Sequence, residues 1–170
     1  MDTPEHREAP IRVHFGPGFH AAVGRPIDRS AYDRYVGDWS RLFVPTVLAA
    51  AEVAAADRIL DVATGPGEAA ALALSQVGPA GLVVGADIAV AMLNAAKSRL
   101  AGARFRPVVA DGQVLPFADG TFDAVLCQLG LMFFPDPAQG LHEFRRVRHR
   151  CPRARADVGC PPGHTEPVSA

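Results

Sequence analysis

Arg58-Ile59-Leu60-Asp61-Val62-Ala63-Thr64-Gly65-Pro66-Gly67-Glu68 decides how this chain folds. An apolar run takes in one acidic residue and passes straight into a short turn carrying two glycines. Behind the turn, Ala69-Ala70-Ala71-Leu72-Ala73-Leu74 is strong helix-forming sequence. Strand, tight turn and helix in that order open a nucleotide-binding α/β unit, whose ligand lies beyond the carboxyl end of the strand.

Outward from that stretch the same alternation continues. Residues 59–63 are predicted to form the first strand and 68–77 the first helix of the unit, broken by Gly78-Pro79-Ala80-Gly81. Residues 82–86 read as a second strand ending on Asp87. Ala89, Met92, Leu93, Ala96 and Leu100 then share one helical face, with Lys97 and Arg99 near the carboxyl end, where positive charge is favoured. Residues 104–109 predict a third strand running to Asp111, residues 122–127 a fourth, and residues 137–148 a helix with Leu141, Phe144 and Val147 on one side. Near-continuous apolar strands alternating with helices imply a parallel sheet covered on both faces.

Upstream, Tyr32, Tyr35, Trp39, Leu42 and Phe43 recur at helical spacing behind Ser30, a candidate N-cap, and Pro45 is expected to open a second helix through Ala56. The aromatic stripe reads as core packing, with closure over a ligand as the sharper alternative. Residues 1–28 mix Pro, Gly, His and charge without periodicity and read as a mobile arm; the spacing of His6, His14 and His20 matches no metal site.

The bulk numbers narrow the function classes. A chain of 170 residues, 49% hydrophobic and 21% charged, is expected to be one globular domain. A net charge of −1 gives no field that would draw it to nucleic acid or an anionic membrane. Three widely spaced cysteines and the lack of a basic-then-apolar opening fit the cytoplasm, and the longest apolar runs fall short of a bilayer span.

The turn itself discriminates among ligands. The three positions of a dinucleotide fingerprint fall on Ala63, Gly65 and Glu68, of which only the middle one is glycine, and no Gly-Lys-Ser/Thr follows for a triphosphate. Glu68 puts negative charge where a pyrophosphate needs the reverse. Asp61 and Glu68 suit an ammonium or sulfonium group instead. Asp87 is placed to accept both hydroxyls of a ribose, and Asp111 could take an exocyclic amine of adenine. Three carboxylates ending three successive strands describe one crevice.

These residues resemble the class I S-adenosylmethionine-dependent methyltransferases, in particular the small-molecule group that includes ubiquinone/menaquinone C-methyltransferases (methyltransferase type 11). The likeness runs from about Tyr32 to Val147. It is carried by Tyr32-Asp33-Arg34-Tyr35 with Trp39-Ser40, the 59–67 stretch, Gly85-Ala86-Asp87-Ile88 with Met92-Leu93, Ala110-Asp111-Gly112, Leu115-Pro116-Phe117 with Asp119-Gly120-Thr121-Phe122-Asp123, and Phe133-Phe134-Pro135-Asp136 with Glu143 and Arg145-Arg146-Val147.

The resemblance implies a Rossmann-like α/β fold with strand order 3-2-1-4, N-terminal helices, and S-adenosylmethionine as cofactor. It implies that Asp61, Ala63, Thr64, Gly65 and Gly67 surround the methionyl part, that Asp87 binds the ribose, and that Ile88 and Met92 lie against the adenosine. Asp111 with Gly112 would face the adenine edge and Gln128 would stand near the methyl-bearing sulfur. Ala63 replaces a glycine common in the family, a mild departure. The implied reaction is in-line methyl transfer to a small-molecule acceptor, without metal, nucleic acid or membrane; neither a general base nor the acceptor follows from the sequence, and His142 reads as a surface residue.

After Val147 the pattern stops. Arg148-His149-Arg150-Cys151-Pro152-Arg153 stands where the family has a Pro-Gly-Gly-type turn and a fifth strand, and Pro161, Pro162 and Pro167 prevent long elements. The expected domains are therefore an arm at 1–28, a cofactor-binding domain at 29–148 and an irregular tail at 149–170. A reading-frame shift near residue 148, or another truncation, would explain the missing strands five to seven. Strand four would then be an exposed edge open to self-association. Cys151, Cys160 and His164 have no common zinc spacing, and the tail arginines lack interleaved aromatics. Two other functional classes stay open: a non-catalytic remnant or pseudoenzyme that at most binds the cofactor, and, more distantly, a nicotinamide-dependent oxidoreductase.

Overall fold

The computed structural model describes residues 38–149. The expected arm, Ser30, Tyr32, Tyr35, the six histidines' outer members His6, His14, His20 and His164, and the cysteines at 151 and 160 lie outside the described residues.

Helix α1 (Asp38–Ala50) leads into β1 (Arg58–Val62), α2 (Glu68–Val77), β2 (Leu82–Asp87), α3 (Val90–Arg99), β3 (Phe105–Val109), β4 (Ala124–Leu126) and α4 (Pro137–Val147). A 3-10 turn, Leu131–Phe133, precedes α4. The four strands are parallel in the order β3-β2-β1-β4, as the family resemblance implies. Alternate residues of each strand face opposite ways, so the sheet builds two cores. Ile59, Val83 and Phe105 pack with Val44 and Leu48 of α1, Ala70, Ala73 and Val77 of α2, and Ala96 of α3. Leu60, Val62, Val84 and Ala86 pack on the other side with Leu115, Phe122 and Val147.

Three differences from the sequence reading have physical causes. Pro45 does not open a second helix; it lies inside α1. Proline removes one internal hydrogen bond, but Val44 and Leu48, one turn apart and both buried, hold the helix on the core across that gap. Strand β4 is shorter than expected: Asp123 N–H still donates to the Arg58 carbonyl of β1 at 2.9 Å, but Phe122 pairs on its other side. There Phe122 N–H donates to the Val147 carbonyl at 3.0 Å and His149 N–H to the Phe122 carbonyl at 2.7 Å, an isolated parallel bridge between Phe122 and Arg148. The chain leaving α4 thus returns to the base of β4, so the edge expected to be open is covered at that end.

Among the described residues no helix is long and apolar enough to cross a membrane.

Candidate functional site

The carboxyl ends of β1, β2 and β4 meet at the turn 63–67. To enter α2 the chain must reverse sharply, and it does so with left-handed residues at Ala63 (φ 54°), Gly65 (φ 55°) and Gly67 (φ 85°). The glycines take this conformation freely; Ala63 takes it against its β-carbon. Thr64 N–H donates to the Ala86 carbonyl at 3.1 Å, fixing the turn to β2.

Asp61 is 1% exposed, between Leu60 and Val62 in the centre of the sheet. Its Oδ2 accepts from the Thr64 hydroxyl at 2.6 Å. Burial outweighs that hydrogen bond and, with the neighbouring Asp87 charge, pushes its pKa up to about 7. Asp87 binds the same turn: its Oδ2 accepts from Gly65 N–H at 2.9 Å and its Oδ1 from Ala89 N–H at 2.8 Å. Burial raises its pKa against these backbone donors. Ile88 N–H adds a third backbone donor, and with about four acceptor directions the carboxylate keeps capacity for a further one.

Glu68 behaves differently from the sequence expectation. Its buried carboxylate accepts from Arg41 Nε at 2.8 Å and Arg41 Nη2 at 3.0 Å, and Arg99 pairs with it from α3. Burial opposes ionisation, but the two guanidinium groups more than reverse it and hold the pKa below the usual carboxylate range. Its charge is therefore answered within the protein. The negative character of the site rests on Asp61 and Asp87.

Gln128, just beyond β4, donates Nε2 to the Ser40 carbonyl at 2.5 Å and to the Ser40 hydroxyl at 2.9 Å. A carbonyl only accepts, so the amide orientation is fixed and Oε1 points the other way. That oxygen is buried and has no hydrogen-bond partner. An orphaned buried acceptor costs about 1–3 kcal/mol, so any donor that reaches it, a water included, would be stabilising there.

Ser40, Asp61, Ala63, Thr64, Pro66, Glu68, Ala69 and Gln128 line one pocket of about 270 Å³, mouth included. No lysine or arginine is among them. The acceptor-rich lining fits a cationic or amine-bearing group, which is the chemistry of a methionyl sulfonium with its ammonium.

The other expected residues lie along the rim. Ile88 is 71% exposed directly beside Asp87, whereas Met92 is buried in α3. Asp111 follows β3 and is exposed; its Oδ1 accepts from Gln113 N–H at 2.8 Å. Gly112 is buried under the Phe134 ring, where a β-carbon would come within 2.3 Å of that ring. The structure therefore gathers Asp61, Ala63, Thr64, Gly65, Gly67, Asp87 and Gln128 around one turn, and sets Ile88, Asp111 and Gly112 further along the rim. Sequence reading missed Arg41, Arg99 and Ser40, whose partners lie 27, 31 and 88 residues away. Among the described residues no group of His, Cys, Asp and Glu could hold a metal ion. Burial pushes the Cys127 thiol up to about 12, so it stays protonated and unreactive at neutral pH.

Comparison with known proteins gives a consistent result. Residues 59–150 match the family described as "Methyltransferase domain". The ubiquinone/menaquinone biosynthesis C-methyltransferase UbiE of Xylella fastidiosa is 38% identical over 113 residues, which is 64% of this chain and 43% of that protein. The demethylmenaquinone methyltransferase of Thermus thermophilus is 46% identical over 92 residues, 53% of this chain and 41% of its own. The chain spans less than half the length of these relatives. A crystal structure of a SAM-dependent methyltransferase from Aquifex aeolicus shares the fold, with a TM-score of 0.55 at 24% identity, over 62% of this chain and 58% of that one.

Proposed function

Since the chain belongs to the S-adenosylmethionine-dependent methyltransferases, we propose that residues 38–149 form the cofactor-binding half of an enzyme that methylates a small molecule. The observation that carries this reading is the pocket at the 63–67 turn. It is lined by acceptors and no cation, with the Gln128 carbonyl oxygen buried and unanswered. Its donor set fits S-adenosylmethionine. Asp61 and the Gln128 oxygen would face the methionyl end, Asp87 the ribose, Ile88 the adenosine face, and Asp111 the exocyclic amine.

When bound, the cofactor supplies an electrophilic methyl group on a sulfonium; an acceptor nucleophile forms the new bond as the sulfur–carbon bond breaks, its electron pair staying on sulfur. The chain's own contribution is alignment and desolvation, which are large terms in such displacements. Asp61, half ionised near neutral pH, offsets the sulfonium charge in the bound state. One relative is by name a C-methyltransferase of ubiquinone/menaquinone biosynthesis and another a demethylmenaquinone methyltransferase, which supports a carbon of a quinone-like acceptor as the methylated atom.

A second reading, binding without turnover, follows from the same geometry, because every interaction described belongs to the cofactor side. A dinucleotide ligand is disfavoured by the Asp61 carboxylate at the turn where a pyrophosphate would sit and by the missing glycines at Ala63 and Glu68. Arg41 and Arg99 answer the Glu68 charge, and Asp87 suits a ribose in either ligand. Turnover of demethylated quinones, phenols and amines with S-adenosylmethionine separates the first two readings: S-adenosylhomocysteine release supports the enzyme, and tight binding with no product across the panel supports the second.

A further inference from the structure

Beyond β3 the chain does not run free across the sheet. Phe134 lies between Gly112 and Gly140, where β-carbons would come within 2.3 and 2.5 Å of its ring atoms, so only glycine on both sides admits the ring. Beside it stands Gln113. Its side-chain oxygen accepts from Asp136 N–H at 2.7 Å, at the N-cap of α4. A backbone N–H only donates, so the amide orientation is set, and the NH2 group must face the other way. It faces Asp111, donating to Oδ1 at 3.2 Å and Oδ2 at 3.3 Å. The Gln113 backbone is tied in as well: its N–H donates to Asp111 Oδ1 at 2.8 Å, and its carbonyl accepts from Gln139 Nε2 at 3.1 Å.

An exposed aspartate on a loop ordinarily samples several rotamers. Here one glutamine grips both carboxylate oxygens and is itself held by the cap of a helix that Asp136 closes through Gln139 N–H at 3.0 Å. We propose that Gln113 is the positioning residue for nucleobase selectivity: it presents the Asp111 carboxylate in one orientation and makes the seating of α4 part of how the site tells an amino-bearing purine from an oxo-bearing one. This rests on the reading of Asp111 as the acceptor for the adenine amine. A carboxylate so held rewards a donor at that purine position and repels a carbonyl. With the glutamine amide removed, Asp111 keeps only the backbone bond to Oδ1, Oδ2 is left free to turn, and the distinction shrinks while the purine still binds.

The test compares dissociation constants of S-adenosylhomocysteine and S-inosylhomocysteine for the full chain and its Gln113→Met, Gln113→Glu and Asp111→Asn forms, with thermal unfolding of each. The unmodified chain should favour the adenosyl ligand by about tenfold or more, the scale of one hydrogen bond to a charged group. Gln113→Met should keep binding both while the preference falls several-fold, and Gln113→Glu, which sets a second carboxylate against Asp111, should lower it further. A preference unchanged in a folded, binding-competent Gln113→Met protein overturns the proposal and leaves the Asp111 reading intact. Equal affinity of the unmodified chain for both ligands overturns the Asp111 reading and this proposal with it.

Discussion

At the scale of single residues, the centre of the site is a carboxylate that folding disfavours in its charged form. Asp61 rises from 3.8 to about 7 through burial, so the folded chain holds a proton that the unfolded chain has released across that interval. Stability contributed by this proton is present at low pH and is lost as pH rises through about 7. Asp61→Asn should therefore flatten the decline in urea stability between pH 4 and 7. An unchanged decline would show that the proton resides elsewhere. The same titration links to the ligand: a sulfonium favours the ionised form, so the affinity ratio of S-adenosylmethionine to S-adenosylhomocysteine should increase from pH 5.5 to 8 (pH values of the proposed assay, spanning roughly one unit or more either side of the group). Calorimetry at the two limits reads that ratio directly.

A second residue-scale effect is steric. Ala63, left-handed at φ 54°, directs its methyl toward Gly130, where a β-carbon would stand 2.4 Å away, and Cys127 Sγ leaves only 2.9 Å on the other flank. Gly130→Ala should cost about 1–3 kcal/mol, the usual scale of overpacking. Ala63→Gly in that background should recover part of the loss, because it removes one of the two clashing groups. Additive effects in the double-mutant cycle would contradict the contact.

Between elements, the decisive joints are polar clamps rather than further apolar area. Glu143 on α4 accepts from Leu115 N–H at 2.8 Å and from Arg146 at 2.7 and 2.8 Å. Arg146 in turn donates to the Phe117 and Leu115 carbonyls at 2.7 and 3.0 Å and to Asp119 at 2.9 Å. The Arg146 hydrogen bonds hold the Glu143 carboxyl below its usual range. Glu143→Ala leaves a buried amide and a guanidinium without their shared partner and should cost about 2–3 kcal/mol in urea denaturation; a loss near zero would mean that the 115–119 segment is held by its apolar contacts alone. These clamps explain what the sequence could and could not reveal. Apolar runs of β1 and β2 and the helix-forming 68–77 segment carry their own periodicity, so their positions were readable, whereas the strand order came from the family resemblance. Arg41 answering Glu68 and Ser40 fixing Gln128 are meetings of ordinary surface-type residues, and nothing local in a sequence marks a meeting across 27 or 88 positions. Pro45 misled for the opposite reason: its local meaning is to begin a helix, and burial of Val44 and Leu48 overrode it.

For the molecule as a whole, four parallel strands bring β1, β2 and β4 to a common rim, and the turn 63–67 is where their acceptors converge. The return of the chain at Arg148 makes one isolated parallel bridge with Phe122 on that side of the sheet. The remaining edge of β4, residues 124–126, is the surface through which we expect self-association, and sedimentation at increasing concentration reads it. The central claim, however, is about the ligand. Titration calorimetry of the full chain and of Asp87→Ala with S-adenosylhomocysteine, S-adenosylmethionine and NAD tests it most directly. The unmodified chain should bind the first two and not NAD, and Asp87→Ala, still folded by circular dichroism, should lose both. Binding of NAD, or undiminished affinity in Asp87→Ala, would contradict it.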